Sequence, residues 1–197
     1  MARPRCIGLL GGSFNPAHHG HRQISLEALD RLDLDEVWWL VSPQNPLKSA
    51  DGLAGYDRRL EHAAEIAGHP RIVVSDIEKE LGTRYTIDTI TALRERFAGD
   101  RFVWLMGADN LLQFPRWKRW RALFRAIPIA IFPRPTYSRR ALSGRAARRF
   151  ARYRVSGIRA PSLALMKPPA WVFLRTRPDA VSATRIRAEE EADWPQT

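Results

Sequence analysis

Two histidines, three residues apart, stand immediately after a glycine-rich turn near the start of the chain. The turn Gly11–Phe14 follows the apolar run 6–10. This order predicts a buried strand that feeds a helix beginning near His18. Backbone N–H groups and the positive end of that helix favour an anion, and His18 and His21 share one helical face. The segment therefore predicts a phosphate site with two imidazole donors.

The glycine turn matches neither G-x-G-x-x-G nor the Walker A pattern. The run His18–His21 resembles H-x-G-H, the signature of the adenylyl- and cytidylyltransferase superfamily. Like that motif, it stands after a strand and a glycine turn. The plain alternative is a helix start with two exposed histidines. A zinc pair is disfavoured because no third ligand lies in a suggestive frame.

A second candidate phosphate motif lies near the other end of the chain. The segment Val181–Arg187 resembles the superfamily's I-S-x-T-x-x-R motif. Ser182 and Thr184 are good helix N-cap residues, and Arg187 can reach a phosphate oxygen with its forked guanidinium. The alternative is an ordinary capped helix on the surface.

Length and composition favour one domain over residues 1–197, with 191–197 as a frayed tail, and the two motifs make it resemble a nucleotidyltransferase domain. The single cysteine, Cys6, excludes a disulfide framework and lies in a predicted buried strand. The start of the chain has neither a signal-peptide pattern nor a membrane span. We therefore expect a cytoplasmic protein without membrane association, and the oligomeric state stays open.

The net charge of +11 is unevenly distributed. No acidic residue lies between Asp109 and Asp179, and that stretch holds 17 of the 32 basic residues. Three interpretations stay open: a solvated arginine-rich face, an anionic nucleotide substrate, or a nucleic-acid partner. Nucleic acid is the least favoured of the three, because the stretch contains no known nucleic-acid-binding motif.

Apolar runs alternate with helical patterns along the whole chain. This alternation predicts an α/β fold: a Rossmann-like, doubly wound, mainly parallel sheet with helices on both faces. Strands are expected at 6–10, 37–41, 72–74, 102–106, 127–132 and 171–174, and helices at 19–32, 57–68, 86–98, 116–125 and 139–153. Residues 156–169 are expected to form a loop.

Ligands of such sheets bind outside the carboxyl ends of the strands, so residues after strand ends are candidates. Lys48 and Arg134 can each contact a substrate phosphate, or can be surface cations. Asp109, after Gly107, can cap the next helix or bond nucleotide hydroxyls. Trp117 offers a ring face for stacking on a flat ligand ring, or packs in the core.

Taken together, these segments resemble bacterial nicotinate-nucleotide adenylyltransferases over most of the chain. The parts that point to this family rather than to its sisters are the Tyr85–Thr89 segment and the block from Gly107 to Trp117. The family's glycine turn often carries Asp where this chain has Asn15. The resemblance implies transfer of an adenylyl group from ATP to nicotinate mononucleotide, which releases pyrophosphate in NAD biosynthesis.

The resemblance also implies roles for individual residues. His21 and His18 are the expected catalytic residues. ATP is expected to contact Gly11, Gly12, Ser13, Phe14, His18, His21, Gly107, Asp109, Ser182, Thr184 and Arg187. The mononucleotide is expected to contact Lys48, Tyr85, Thr86, Trp117 and Arg134. Mg²⁺ would arrive with ATP, and no protein metal ligand is named. The alternatives are an adenylyltransferase for nicotinamide mononucleotide or another phosphate acceptor, and, from a different class, a basic nucleic-acid-binding module.

Overall fold

A computed structural model describes residues 3–43, 53–134 and 136–174. Within these ranges the strands are β1 Cys6–Gly12, β2 Glu36–Val41, β3 Ile72–Ser75, β4 Arg101–Gly107, β5 Ile129–Phe132, β6 Arg154–Val155 and β7 Trp171–Phe173. The α-helices are α1 His19–Arg31, α2 Tyr56–Ala67, α3 Ile77–Glu80, α4 Thr86–Arg96, α5 Ala108–Gln113, α6 Trp120–Ala126, α7 Ser138–Leu142 and α8 Arg145–Arg149. Short 3₁₀ helices lie at Phe114–Arg116, Ala151–Tyr153 and Gly157–Leu165.

The strands form one seven-stranded sheet in the order β3-β2-β1-β4-β5-β7-β6. Every strand pair in it is parallel. The chain leaves β1 towards β2 and β3 and then returns to the other side of β1 with β4 and β5. The order therefore reverses between β1 and β4, which is the switch point where ligands of doubly wound sheets bind.

The sheet is covered on both faces, as predicted. One hydrophobic cluster contains Ile7 and Leu9 of β1 with Ile90 of α4, and the other contains Leu10 of β1 with Leu29 of α1. Alternate residues of one strand thus serve two cores, which explains why the strands read as continuous apolar runs. The predicted Rossmann-like fold is confirmed.

The predicted element list departs from the structure at several points, most of them in the second half of the chain, and it omits the short helices α3 and α5. The helix expected at 139–153 is broken at Ser143–Gly144 into α7, α8 and a 3₁₀ turn, and the helix expected at 116–125 begins only at Trp120. The loop expected at 156–169 contains the 3₁₀ helix Gly157–Leu165. The edge strand β6 was not predicted, because two residues carry no periodicity.

The tail at 191–197 lies outside the described residues, and a single domain over 1–197 stays a prediction. Cys6 is buried, as expected. None of the described helices has the length and apolar character needed to cross a membrane.

Candidate active site

The predicted phosphate turn lies at the switch point. β1 ends at Gly12, and α1 begins at His19 with His18 as its N-cap residue. The backbone N–H of His18 donates to Nδ1 of His21 at 3.2 Å, and the two imidazole centroids are 3.8 Å apart. Since Nδ1 accepts this bond, the neutral ring of His21 carries its proton on Nε2. His21 is thereby prepared to donate from Nε2.

Phe14, the last residue of the glycine turn, has an unusual backbone conformation. Its φ is +46°, in the left-handed region that bulky residues rarely adopt. The ring is buried, lies parallel to Trp39 with centroids 5.1 Å apart, and is 4.8 Å from the ring of His21. Packing against Trp39 therefore compensates local strain in a turn that positions a histidine.

A short hydrogen-bond chain also ties His21 to β2. The indole Nε1 of Trp39 donates to Oγ of Ser25 at 2.7 Å, and this Oγ donates to the carbonyl of His21 at 2.8 Å. Ser25 has no solvent exposure. Buried hydrogen bonds of this kind fix geometry, because breaking one leaves a polar group unpaired. Trp39, on β2, thus fixes the position of the first turn of α1 against the sheet.

Trp104 joins the glycine turn to the predicted ring-stacking residue. A Cβ atom at Gly11 would lie only 2.5 Å from Cη2 of Trp104, so glycine is required for the indole to fit. The other side of Trp104 meets Trp117 edge-on, with centroids 6.1 Å apart. Trp117 is half-buried and also contacts Phe114 at 4.9 Å. Trp117 therefore packs on the core while the residue stays partly exposed, and stacking on a ligand ring stays a prediction.

The two segments expected to hold the mononucleotide base lie side by side. Nζ of Lys118 is 3.9 Å from the ring centroid of Tyr85 and 3.5 Å from Oδ2 of Asp88. These contacts connect the start of α4, where Thr86 is the first helical residue, to the residue that follows Trp117. The structure thus places Tyr85 and Thr86 beside the segment that carries Trp117, although the two segments are far apart in sequence.

Glu78, which was not among the predicted site residues, is a buried carboxylate near this region. Oγ1 of Thr89 donates to Oε1 of Glu78 at 3.1 Å, and Ser42, just after β2, also hydrogen-bonds to the carboxylate. Burial raises the pKa of Glu78, while the two hydroxyl donors oppose that rise. Its position in α3, directly after the carboxyl end of β3, is the sequence feature that could have indicated it as a site residue.

Gly107, Asp109 and Arg134 meet at the ends of β4 and β5. Gly107 is the N-cap of α5, so the interpretation of Asp109 as a cap is wrong. Oδ1 of Asp109 lies 3.7 Å from Nε of Arg134, and a Cβ at Gly107 would clash with this Asp109 oxygen. The loop after β5 is closed by Oγ of Ser138, which accepts from the N–H of Arg134 and donates to its carbonyl.

Four predicted contact residues lie outside the described residues: Lys48, Ser182, Thr184 and Arg187. Within the described residues, no group of three or more His, Cys, Asp or Glu side chains is arranged to hold a metal ion. The carboxamide of Asn15, at the position where Asp is common, accepts the N–H of Ala54 at 3.1 Å.

A comparison with protein-family models matches residues 9–189 to the cytidylyltransferase-like family. Among curated proteins, a "probable nicotinate-nucleotide adenylyltransferase" of Parvibaculum lavamentivorans is 52% identical over 95% of this chain and 92% of its own. One of the same name from Cereibacter sphaeroides is 53% identical over 92% of this chain and 96% of its own. This chain belongs to the nicotinate-nucleotide adenylyltransferase family.

Solved structures support the fold independently. The nicotinic acid mononucleotide adenylyltransferase of Plasmodium falciparum, complexed with NaAD, matches with a TM-score of 0.66 at 17% identity over 87% of this chain and 75% of its own. The same protein complexed with APC gives a TM-score of 0.64. At this low identity the likeness carries the Rossmann-like fold, whereas the family rests on the sequence matches.

Proposed function

We propose that this chain transfers the adenylyl group of ATP to nicotinate mononucleotide, forming nicotinate adenine dinucleotide and pyrophosphate in NAD biosynthesis. The observation that carries the proposal is the contact series Gly11, Trp104, Trp117. It connects the glycine turn that precedes His18 and His21 at the switch point with Trp117, whose segment lies beside Tyr85. The two ends of this series suit the two substrates that the family name requires.

The reaction needs little proton chemistry from the protein. A 5′-phosphate oxygen of the mononucleotide attacks the α-phosphorus of ATP in line, and the bond from that phosphorus to the β-phosphate oxygen breaks. The nucleophile is already an anion, so positioning and charge stabilisation supply the catalysis. Nε2–H of His21 is the donor we assign to the reacting phosphoryl group, with His18 beside it.

The remaining roles follow the same division. The backbone of Gly11–Phe14, together with Gly107 and Asp109, is assigned to ATP, and so are Ser182, Thr184 and Arg187. Tyr85, Thr86, Trp117, Arg134 and Lys48 are assigned to the mononucleotide. Mg²⁺ that arrives with ATP would neutralise charge that develops on the leaving pyrophosphate.

Acceptor specificity follows from the start of α4. Backbone N–H groups at a helix start favour a carboxylate, which is the group that distinguishes nicotinate from nicotinamide. We also propose a cytoplasmic location, where ATP and the mononucleotide would be available, and one catalytic domain over residues 1–197. Membership of a nucleotidyltransferase family argues against the alternative of a basic nucleic-acid-binding module.

One assay tests the function directly. Purified protein is given ATP, Mg²⁺ and either nicotinate mononucleotide, nicotinamide mononucleotide or pantetheine phosphate, and pyrophosphate release is measured side by side. We expect release with the nicotinate nucleotide above all. Equal or greater release with another acceptor would contradict the proposed substrate, and no release with any acceptor would contradict the activity.

A further inference from the structure

Arg59, in the first turn of α2, is a charged residue of which only 1% is exposed to solvent. Its guanidinium donates to four backbone carbonyls. The bonds are from Nε to Ala54 at 3.0 Å, from one terminal nitrogen to Ser13 at 2.6 Å and Ser42 at 2.9 Å, and from the other to Pro43 at 3.1 Å. The guanidinium has five N–H donors spread over a planar fork and so reaches all four acceptors, whereas a lysine ammonium has three donors on a single atom.

The four carbonyls belong to separate parts of the site. Ser13 lies in the glycine turn after β1, Ser42 and Pro43 follow the end of β2, and Ala54 precedes α2. Ala54 is held a second time, because its N–H donates to Oδ1 of Asn15. Arg59 therefore fastens the phosphate turn to the neighbouring strand end.

The charge of Arg59 is not neutralised by a carboxylate among the described residues. All four acceptors are neutral carbonyl oxygens, and no described Asp or Glu forms an ion pair with it. Burial lowers the pKa of Arg59, yet a guanidinium remains protonated at any physiological pH. A permanent positive charge thus lies within one hydrogen bond of the turn assigned to ATP, in surroundings that screen it poorly.

We propose that Arg59 is a positioning residue for ATP. Arg59 binds the carbonyl of Ser13 and thereby orients the turn so that its N–H groups face the phosphates. In addition, the positive charge of Arg59, which no described carboxylate neutralises, favours binding of the negatively charged triphosphate. The inference rests on the proposed function for the identity of the ligand. It does not require Arg59 to touch ATP.

The test compares Arg59→Met, Arg59→Lys and two controls. Arg58→Met changes the exposed neighbouring arginine, and Ile66→Ala weakens the packing of the same helix far from the turn. Steady-state KM and kcat are measured for each substrate, and binding of α,β-methylene-ATP is measured by calorimetry. Each variant is first checked for folding by circular dichroism.

For Arg59→Met, we expect KM and Kd for the ATP site to rise by about tenfold or more, because the turn loses its anchor and the site loses a buried positive charge. The mononucleotide KM should change less. Arg59→Lys keeps the charge but not the fork and should fall between Arg59→Met and the wild type. Ile66→Ala should lower Tm and leave both KM values unchanged, which separates positioning from mere stability.

Folded Arg59→Met or Arg59→Lys protein with wild-type affinity for the ATP analogue would overturn the inference. If Arg59→Met does not fold, Arg59→Lys alone decides. An equal rise in KM for Ile66→Ala would also overturn it, because loss of stability would then suffice. Should the wild type bind the analogue but release no pyrophosphate, the proposed function fails while the binding comparison still tests Arg59.

Discussion

The N–H of His18 donates to Nδ1 of His21, and this single bond determines which nitrogen of His21 faces away from the helix end. With Nδ1 engaged, Nε2 carries the proton in the neutral ring. The imidazole is thus a preorganised donor rather than a base. That assignment suits a reaction whose nucleophile is already ionised.

Replacing His21 with alanine should lower kcat by roughly 10²–10³-fold, the usual cost of losing one preorganised donor to a developing charge. Pyrophosphate release at saturating substrates measures this. His19→Ala is the matched control, because His19 lies in the same turn but is exposed. The assignment fails if folded His21→Ala protein retains wild-type kcat, or if His19→Ala loses as much.

Trp39→Phe should weaken both the fold and the reaction. The change removes the donor to Ser25 and should lower the free energy of unfolding by about 1–3 kcal/mol. It also loosens the first turn of α1, so we expect kcat to fall by roughly tenfold. Urea unfolding and steady-state kinetics measure the two effects.

Trp38→Phe provides the comparison for that variant. Its indole donates to Oε2 of Glu36 at 2.7 Å and faces the other side of the sheet. We expect some loss of stability and an unchanged kcat. Equal losses of kcat in both variants would show that Trp39 has no special relation to His21.

Glu78→Gln should change how stability depends on pH. Because burial raises the pKa of Glu78 in the folded state, its contribution to stability is fully present below the ordinary glutamate pKa of about 4.3 and is lost as pH rises through the folded-state value. The variant does not incur this loss. Its free energy of unfolding relative to the wild type should therefore increase from about pH 4 towards neutrality.

Unfolding by urea at several pH values gives the comparison. Glu80→Gln is the control, since it makes the same change at a half-exposed carboxylate that pairs with Arg96. Parallel profiles for wild type and Glu78→Gln would contradict a raised pKa at Glu78.

The acceptor site should prefer acid over amide. An amide NH₂ placed against backbone donors leaves polar groups unpaired, at a cost of about 1–3 kcal/mol, or roughly tenfold to over a hundredfold. We expect kcat/KM for nicotinate mononucleotide to exceed that for the amide nucleotide by at least about tenfold. Comparable values would place the carboxylate contact elsewhere.

Trp117→Ala should raise KM for both acceptors alike, because stacking does not distinguish acid from amide. Trp117→Phe retains a ring and should restore part of the affinity. Mononucleotide KM values for the two variants decide the matter. If Trp117→Ala leaves KM unchanged, the residue serves only to pack against Trp104 and Phe114.

The sequence predicts the fold well where patterns are local. Six of the strands and the first helices follow from apolar runs and a helix stop such as Gly68, which adopts the left-handed conformation that ends α2. The break between α7 and α8 was missed although Gly144 marks it. An arginine-rich stretch with good helix formers masks a single glycine.

The pairing of His18 with His21 was predictable from the sequence, because chemistry and spacing coincide there. The contacts of Arg59 were not, because its four partners are carbonyls that every residue possesses. One signal was present: Arg59, Ala63 and Ala67 form the buried stripe of α2, so a cation occupies a position where the helical period demands an apolar residue. A charge on the apolar stripe is the kind of local conflict that marks functional sites.

The close approach of Gly11 to Trp104 links two positions on neighbouring strands. A methyl group at Gly11 would need the space that the Trp104 indole occupies, so Gly11→Ala alone should destabilise the fold. A smaller side chain at position 104 should make room for the methyl group and restore stability. That smaller side chain would in turn leave Trp117 without its edge contact. Substitutions at the three positions are therefore coupled, and during divergence of the family they should be inherited together rather than one at a time.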